Sequence, residues 1–411
     1  MSKFLFITQV YPPDPAAVGQ QIEDAAGELA NRGHEIIVYT ADRDYDEPKI
    51  RYDTKSRYPG VRIIRIPFSS FGKRTIFHRL LGQFSFLSQC ALHLLFARKV
   101  NGVLLTTIPA TTGVFFLLVR MFRRFPYLYW VMDINPDQAI ALGAFTENSF
   151  PARVLGWVNN RLLKSANQVI CLDTDMAKRL GESENVEIIP PWPLEEDLEI
   201  VSKDENPFIK KHGLKGNFVF MYSGNHSLVH PLTTLLDAID ENTRISKSIF
   251  AFIGGGRGKA KVETRRTELE SKNILSLPYQ ALDQIKYSLS AADVQIVSFG
   301  NEMVGIVHPC KLYSAMAIGK PILLLGPKYS ALGRIVLEHQ IGWCVSHEDQ
   351  KEMKRLLEEI PKMTSIDLNI KGNKAKQLVV DRYSRARLCG NFCDIFESTF
   401  AQESTNVSFT K

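Results

Sequence analysis

Short apolar runs alternate with amphipathic stretches along almost the whole chain. The run at 3–10 predicts a buried strand. The stretch 20–32 puts Ile22, Ala25, Ala26, Leu29 and Ala30 on one helical face, and Gly33 stops that helix. Further strands are predicted at 34–40, 61–68, 103–107, 126–132, 168–172 and 186–189, and the first half ends at Pro190-Pro191-Trp192-Pro193. Residues 195–206 are acidic and polar and read as a linker. The alternation then restarts, with strands at 218–222, 248–253, 274–277, 294–298, 321–325 and 343–345. Helices are predicted between them, among them 282–290, 309–318 and 332–339, and the chain stays mostly helical to 400.

Strands separated by helices of this length imply βαβ units and parallel sheets buried on both faces. The expected architecture is α/β, with two doubly wound Rossmann-like domains at 1–198 and 207–383, a helix at 384–400 and a solvated tail at 401–411. Open parallel sheets bind ligands beyond the carboxyl ends of their strands, so the expected site is a cleft between the two domains.

Composition narrows the class. With 45% hydrophobic and 23% charged residues in 411, the chain is globular and not disordered. A net charge of +6, from 50 Lys and Arg against 44 Asp and Glu, leaves room for an anionic ligand but does not describe a nucleic-acid binder. Six cysteines with no CxxC spacing point to a reducing cytoplasm, and Cys389 and Cys393 read as packing residues. The amino-terminal residues run straight into the first strand, with no signal-peptide pattern. The apolar segments 84–96 and 113–119 fall short of the roughly 20 residues needed to span a bilayer.

Several stretches carry candidate chemistry. The first turn, from Gln9 to Gly19, lacks the GxGxxG of a dinucleotide fold. Gly19 either lets a ligand approach a helix end or is a plain capping glycine. Phe252-Ile253-Gly254-Gly255-Gly256-Arg257-Gly258-Lys259 is a strand running into a glycine loop with two cations, which suits a phosphate or simply close packing. From Gly300 to Pro321, Glu302, Gly305 and His308 lead to Pro309 at an expected first helical position, with Lys311 in the first turn. The helix dipole disfavours a cation there, so Lys311 makes sense facing a bound anion; a solvated lysine is the plainer alternative. Asp133 and Asp137 follow a buried strand and are either caps or site residues. Two segments, 73–81 and 115–125, mix apolar, aromatic and basic residues, as lipid-facing helices do and as ordinary crossover helices also can.

Taken in order, these motifs resemble family 4 glycosyltransferases of the two-domain GT-B fold. The resemblance rests on Tyr11-Pro12-Pro13-Asp14, Gly19, Arg32-Gly33-His34-Glu35, Tyr222-Ser223-Gly224-Asn225, Gly254-Gly255-Gly256 and Pro309-Cys310-Lys311-Leu312-Tyr313. Thr106-Thr107-Ile108-Pro109, Asp133-Ile134-Asn135-Pro136-Asp137 and Ile189-Pro190-Pro191-Trp192 are similar to the bacterial branch that builds colanic-acid-type exopolysaccharide and O-antigen, including N-acetylfucosamine-type transferases. The resemblance implies sugar transfer from a nucleotide-diphosphate donor to an acceptor hydroxyl, with retention and with neither metal nor cofactor. It implies a saccharide or lipid-linked acceptor, and a cytoplasmic enzyme touching the inner face of an anionic membrane.

The resemblance assigns the donor to the second domain, through Gly224, Asn225, His230, Gly255, Gly256, Arg257, Glu302, Gly305, His308, Lys311, Leu312 and Ser314. It assigns the acceptor to the first, through Gly19, Asp133, Pro136 and Asp137, and has the last helix cross back to the first domain. Lys311 and Asp133 are the expected catalytic pair. Asn225 and His230 stand where many members carry Arg and Lys, and Ile306 and Ser314 where they carry a glutamate pair. Two other readings follow from those departures: a non-catalytic sugar-nucleotide-binding partner, or a nucleotide-sugar epimerase.

Overall fold

The computed structural model describes all residues except 44–48, 72–75, 182, 195, 197, 240–246, 271–272 and 407–411, and the side chains of 76, 79 and 402–406. Lys73 and Arg74, parts of the linker and the end of the tail therefore lie outside the described residues. The chain divides into two compact units. Unit 1 is Met1–Pro191 with Ile306–His308 and Arg385–Lys411; unit 2 is Trp192–Gly305 with Pro309–Ser384.

Among the described residues unit 1 holds seven parallel strands: β1 (Lys3–Ile7), β2 (Glu35–Ala41), β3 (Val61–Ile66), β4 (Gly102–Thr106), β5 (Tyr127–Trp130), β6 (Gln168–Cys171) and β7 (Val186–Ile188). Their order is β3-β2-β1-β4-β5-β6-β7. Between them run α1 (Ala17–Asn31), α2 (Ile76–Phe96), α3 (Thr112–Arg120), α4 (Asp137–Ala141), α5 (Phe150–Ser165) and α6 (Thr174–Leu180). The central strands are buried from end to end, as strands covered by helices on both faces must be. Connections towards β3 place α1 on one face; those running back towards β7 place α2, α3 and α5 on the other.

The last helix of the chain, Arg385–Asn406, belongs to unit 1 and packs along α1. Phe392, Phe396 and Phe400 recur every four residues and form one apolar stripe. Phe396 meets Phe4 edge-on at 4.9 Å, and Phe392 lies 4.4 Å from the Trp130 ring. Gly102 makes room for this stripe, since a Cβ there would fall 2.4 Å from the Phe400 ring. At the rim, Arg32 bonds Asp394 at 2.6 Å and Glu397 at 2.8 Å.

Among the described residues unit 2 holds six parallel strands: β8 (Phe218–Ser223), β9 (Ser248–Ile253), β10 (Ile274–Leu277), β11 (Val294–Ser298), β12 (Ile322–Leu325) and β13 (Gly342–Val345), in the order β10-β9-β8-β11-β12-β13. Its helices are α7 (Pro207–His212), α8 (Thr233–Ala238), α9 (Lys259–Glu268), α10 (Ile285–Ala291), α11 (Lys311–Ala317), α12 (Ala331–Glu338), α13 (Gln350–Glu359) and α14 (Ser365–Leu378); the C-terminal helix of unit 1 is α15. All thirteen strands stand where the apolar runs put them. Both sheets have the doubly wound form expected from the sequence.

Two helix boundaries differ. Residues 76–81 of the first segment and all of 84–96 are parts of one helix, α2, in which Gly82 lets the backbone at Ser69–Phe71 approach. The helix expected at 309–318 starts at Lys311, with Tyr313 N–H donating to the Cys310 carbonyl across its first turn.

Candidate functional site

In unit 2 the polar candidates gather at the carboxyl ends of β8 and β9. The loops after the two strands are zipped together: Gly224 N–H donates to Ile253 O, His226 N–H to Gly255 O, and Gly258 N–H to His226 O. Such close approach needs glycine. Gly254 has φ of 127°, and a Cβ there would lie 2.1 Å from the Gly224 carbonyl. Gly256 has φ of 116°, with the Asn225 side-chain oxygen 2.3 Å from where a Cβ would be. Arg257 stands exposed at the tip of the second loop. Lys259 at the start of α9 turns back to donate to the Gly254 carbonyl at 2.6 Å, and also to that of Leu277.

Lys311 reaches this loop pair from α11. Its Nζ donates to the Asn225 carbonyl at 2.8 Å and to the Tyr222 hydroxyl at 2.5 Å, 4.0 Å from the centre of the Tyr222 ring. A Cβ on Gly224 would come within 2.7 Å of Lys311 Cε, so only glycine leaves this path open. Burial pulls the Lys311 ammonium down to about 7, opposed only by the field of Cys310. Ser314 shares its helix face, one turn on.

Two histidines flank the lysine. His226 is buried against Tyr222, with ring centres 4.7 Å apart, and burial followed by the fields of Lys311 and Lys259 pushes it down to about 4. The carbonyls of Gly224 and Gly255 pull the other way too weakly to reverse this, and neither ring nitrogen has a hydrogen bond of good geometry. His230 keeps some open surface, yet burial and Lys311 push it down to about 3. Both are therefore neutral at pH 7, and the local positive charge comes from Lys259, Arg257 and the protonated form of Lys311.

Several expected donor residues make other contacts within the fold. Leu312 is fully buried and its N–H turns to the Pro309 carbonyl, so it serves packing. Residue 308 belongs to unit 1, where His308 Nδ1 and Asp173 Oδ2 are 2.5 Å apart, both buried. Asp173 also accepts from Met176 N–H, capping α6. Burial would raise its carboxyl, but the His308 contact and that N–H hold it below the usual range. His230 cannot replace a cation, because its environment keeps it neutral. The seven residues of α11 leave the Lys311 ammonium, and not a helix end, as the charged group there. Glu302 is exposed on a short 3-10 turn, and Gly305 is buried with φ of 70°.

In unit 1, Asp133 follows β5. Its N–H and that of Met132 both donate to Thr107 Oγ1, at 3.2 and 3.1 Å. The neighbouring Ile134 N–H donates to the Ile306 carbonyl at 3.0 Å. Burial raises the Asp133 carboxyl to about 6, with a hydrogen bond to Gln138 acting the other way. The other acceptor candidates have structural tasks. Gly19 lies inside α1, where a Cβ would sit 3.1 Å from the Tyr11 backbone, so its missing side chain lets that turn pack on the helix. Pro136 is buried at the N-cap of α4, and Asp137 is paired with Arg179 at 2.7 Å. Sequence reasoning missed the contact of Tyr222 with Lys311 and the burial of His226 against Tyr222. The signal was present in a tyrosine near the polar end of a buried strand and in a histidine two residues beyond Gly224.

Two family models tile the chain: the glycosyl transferase 4-like domain matches residues 16–192, and glycosyl transferases group 1 matches 204–377. The chain belongs to the glycosyltransferases. It is 28% identical over 292 residues to the probable glycosyltransferase WbjE of Pseudomonas aeruginosa, covering 70% of this chain and 72% of that one. It is 24% identical over 345 residues to the putative colanic acid biosynthesis glycosyl transferase WcaI of Escherichia coli K12, covering 79% and 83%. Among solved structures, sucrose-phosphate synthase from Thermosynechococcus elongatus superimposes with a TM-score of 0.78 at 15% identity, over 98% of this chain and 100% of that one. Anabaena Alr3699/HepE in complex with UDP and glucose gives 0.69 at 16% identity, over 97% and 100%. The shared architecture is GT-B.

Proposed function

We propose that this glycosyltransferase moves a sugar from a nucleotide-diphosphate donor to an acceptor hydroxyl on a lipid-linked saccharide, in the assembly of a cell-surface polysaccharide of the colanic-acid or O-antigen kind. The transfer retains anomeric configuration, uses no metal, and takes place at the inner face of the cytoplasmic membrane. The name of WcaI supports the pathway class, that of WbjE the transferase activity, and the UDP and glucose held by Alr3699/HepE the donor class.

The observation that carries the reading is Lys311 on the two zipped glycine loops. Breaking the bond between sugar and diphosphate leaves negative charge on the departing diphosphate and positive character on the sugar. A cation fixed in a shielded place stabilises that charge without reorganising as it develops. Lys311 is held by Tyr222 and Asn225, and Arg257 stands exposed on the neighbouring loop to meet the outer phosphate oxygens. In this reading the developing charge is met by these side chains. Asp133 orients the acceptor hydroxyl.

A thermal-shift screen of nucleotide-diphosphate sugars identifies the donor, and a transfer assay with it then tests Lys311→Ala. Turnover should fall by about 10² to 10³ with the circular dichroism unchanged. Near-normal turnover would remove Lys311 from the mechanism. Donor binding without transfer to any saccharide acceptor would favour the non-catalytic partner instead, and an isomerised donor in the absence of acceptor would favour the epimerase.

A further inference from the structure

We infer that the outer faces of α2, α3 and α5 form one platform that lies on an anionic lipid surface, with its apolar side chains among the acyl chains and its cations at the headgroups. The inference depends on the transferase reading only for what the platform brings the enzyme to, a lipid-linked acceptor.

The three helices are fixed to one another. On α3, Gly113 lets Leu162 and Val158 of α5 pack against its backbone, and the Phe115 ring lies 5.6 Å from that of Phe84 on α2. Just past α3, Arg123 donates to the carbonyls of Leu94, Leu95 and Ala97 at the end of α2. One side of α2, with Phe86, Leu87, Cys90 and Leu94, is buried.

The other side should be polar if it met only water. Instead Phe77, Leu80, Phe84, Leu92 and Phe96 are exposed along it, spaced by helical turns over about 28 Å. The end of α3 adds Leu118, Met121 and Phe122, the last 78% exposed. On α5, Phe150, Val154 and Trp157 stand at intervals of four and three residues, with Trp157 64% exposed. Scattered exposed hydrophobics are ordinary; three adjacent helices carrying them on one side are not.

Charge decides the occupant. From Thr54 to Met132 there are twelve Lys and Arg and no Asp or Glu, in a chain whose totals are nearly balanced at 50 and 44. Helix α5 adds Arg153, Arg161 and Lys164, again with no acid. Arg98, Lys99, Arg124, Arg161 and Lys164 are exposed. A second copy docked through the same face would set these cations against themselves, because a two-fold contact is self-complementary. A bilayer with anionic headgroups is apolar beneath and negative above, which matches both halves of the pattern. Among the described residues no helix is long and apolar enough to cross a membrane, so α2 lies along the surface.

The test is flotation of the full-length protein with phosphatidylcholine vesicles, with and without phosphatidylglycerol. The protein should float with the anionic vesicles at low salt and be released at about 1 M salt, where screening shortens to about 3 Å. Trp157 fluorescence should shift to the blue on binding and be quenched by brominated lipid. Phe84→Ser with Phe96→Ser, and separately Arg124→Glu with Arg161→Glu, should each weaken partitioning by at least about tenfold. Either pair should leave transfer to a water-soluble acceptor unchanged.

Protein left at the bottom with anionic vesicles would overturn the inference. So would equal flotation on neutral vesicles, or a dimer in sedimentation that the same substitutions dissolve. Flotation needs neither donor nor acceptor, so its failure and the failure of the transferase reading show up in different experiments.

Discussion

Lys311 carries an ammonium that burial has drawn down to about 7 from 10.5. Between those values the unfolded chain binds the proton and the native protein does not, so this group makes the free protein more stable as pH rises through that window. A diphosphate beside it reverses the preference and restores the proton. Titration calorimetry at pH 8 in two buffers of different ionisation enthalpy should therefore show proton uptake when the donor binds, and Lys311→Ala should abolish it. Donor binding with no buffer dependence would mean that the lysine does not meet the diphosphate. Asp133 has the opposite sign. Its carboxyl is raised from 3.8 to about 6, so its contribution is fully present below 3.8 and is lost as pH rises through 6. At pH 7.5, Asp133→Asn should raise the melting midpoint by about 2–4 °C for each kcal/mol recovered, show no gain at pH 3.5, and impair acceptor use. A midpoint unchanged at both pH values would say that the carboxylate is not under strain. In the sequence Lys311 stood out as a cation in the first turn of a helix and Asp133 as a carboxylate after a buried strand. That Tyr222, Asn225 and Thr107 would contact them did not, because those contacts join segments far apart in the chain.

At the scale of elements, the strands were legible because a strand buried on both faces is an unbroken apolar run, as in Val103-Leu104-Leu105 or Ile322-Leu323-Leu324-Leu325. Helix ends were less so. α2 continues through Gly82, whose missing side chain lets the Ser69–Phe71 backbone come close. Pro309 fits a first helical position but lies two residues before the helix begins. The zipped loops after β8 and β9 behave as one element, and Gly254 is their narrowest point. Gly254→Ala would force a side chain to 2.1 Å from the Gly224 carbonyl at a φ of 127°. We expect it to abolish the donor-induced thermal shift while leaving far-ultraviolet circular dichroism intact; an unchanged shift would mean that the loops can separate without harm to binding. The helix α15 depends instead on its aromatic stripe. Phe396→Ala removes contacts with Phe4 and Phe6 and should cost unit 1 about 3–5 kcal/mol, read as a lower denaturant midpoint. A loss under about 1 kcal/mol would mean that the helix is held mainly by Arg32 and its two carboxylates.

For the molecule as a whole, the alternation of runs announced two sheets, and the ordered motifs announced the fold. Neither could show that Ile306–His308 joins unit 1 although the residues on either side belong to unit 2. That placement depends on Ile134 bonding to the Ile306 carbonyl and on His308 meeting Asp173, which are contacts across more than a hundred residues. Each unit has its own buried sheet, so unfolding need not be a single transition. Lys311, Tyr222, Asn225 and the glycine loops all lie in unit 2, and a ligand stabilises what it binds by mass action, about 2.7 kcal/mol at a hundredfold excess over its dissociation constant. Calorimetry of the full-length protein with saturating donor should therefore raise the transition of unit 2 more than that of unit 1. Asp133→Asn marks which transition belongs to unit 1, and Gly254→Ala should cancel the shift in the other. If the donor instead raised the transition marked by Asp133→Asn and left the other in place, the diphosphate would be held by unit 1, and the loops after β8 and β9 would need another purpose.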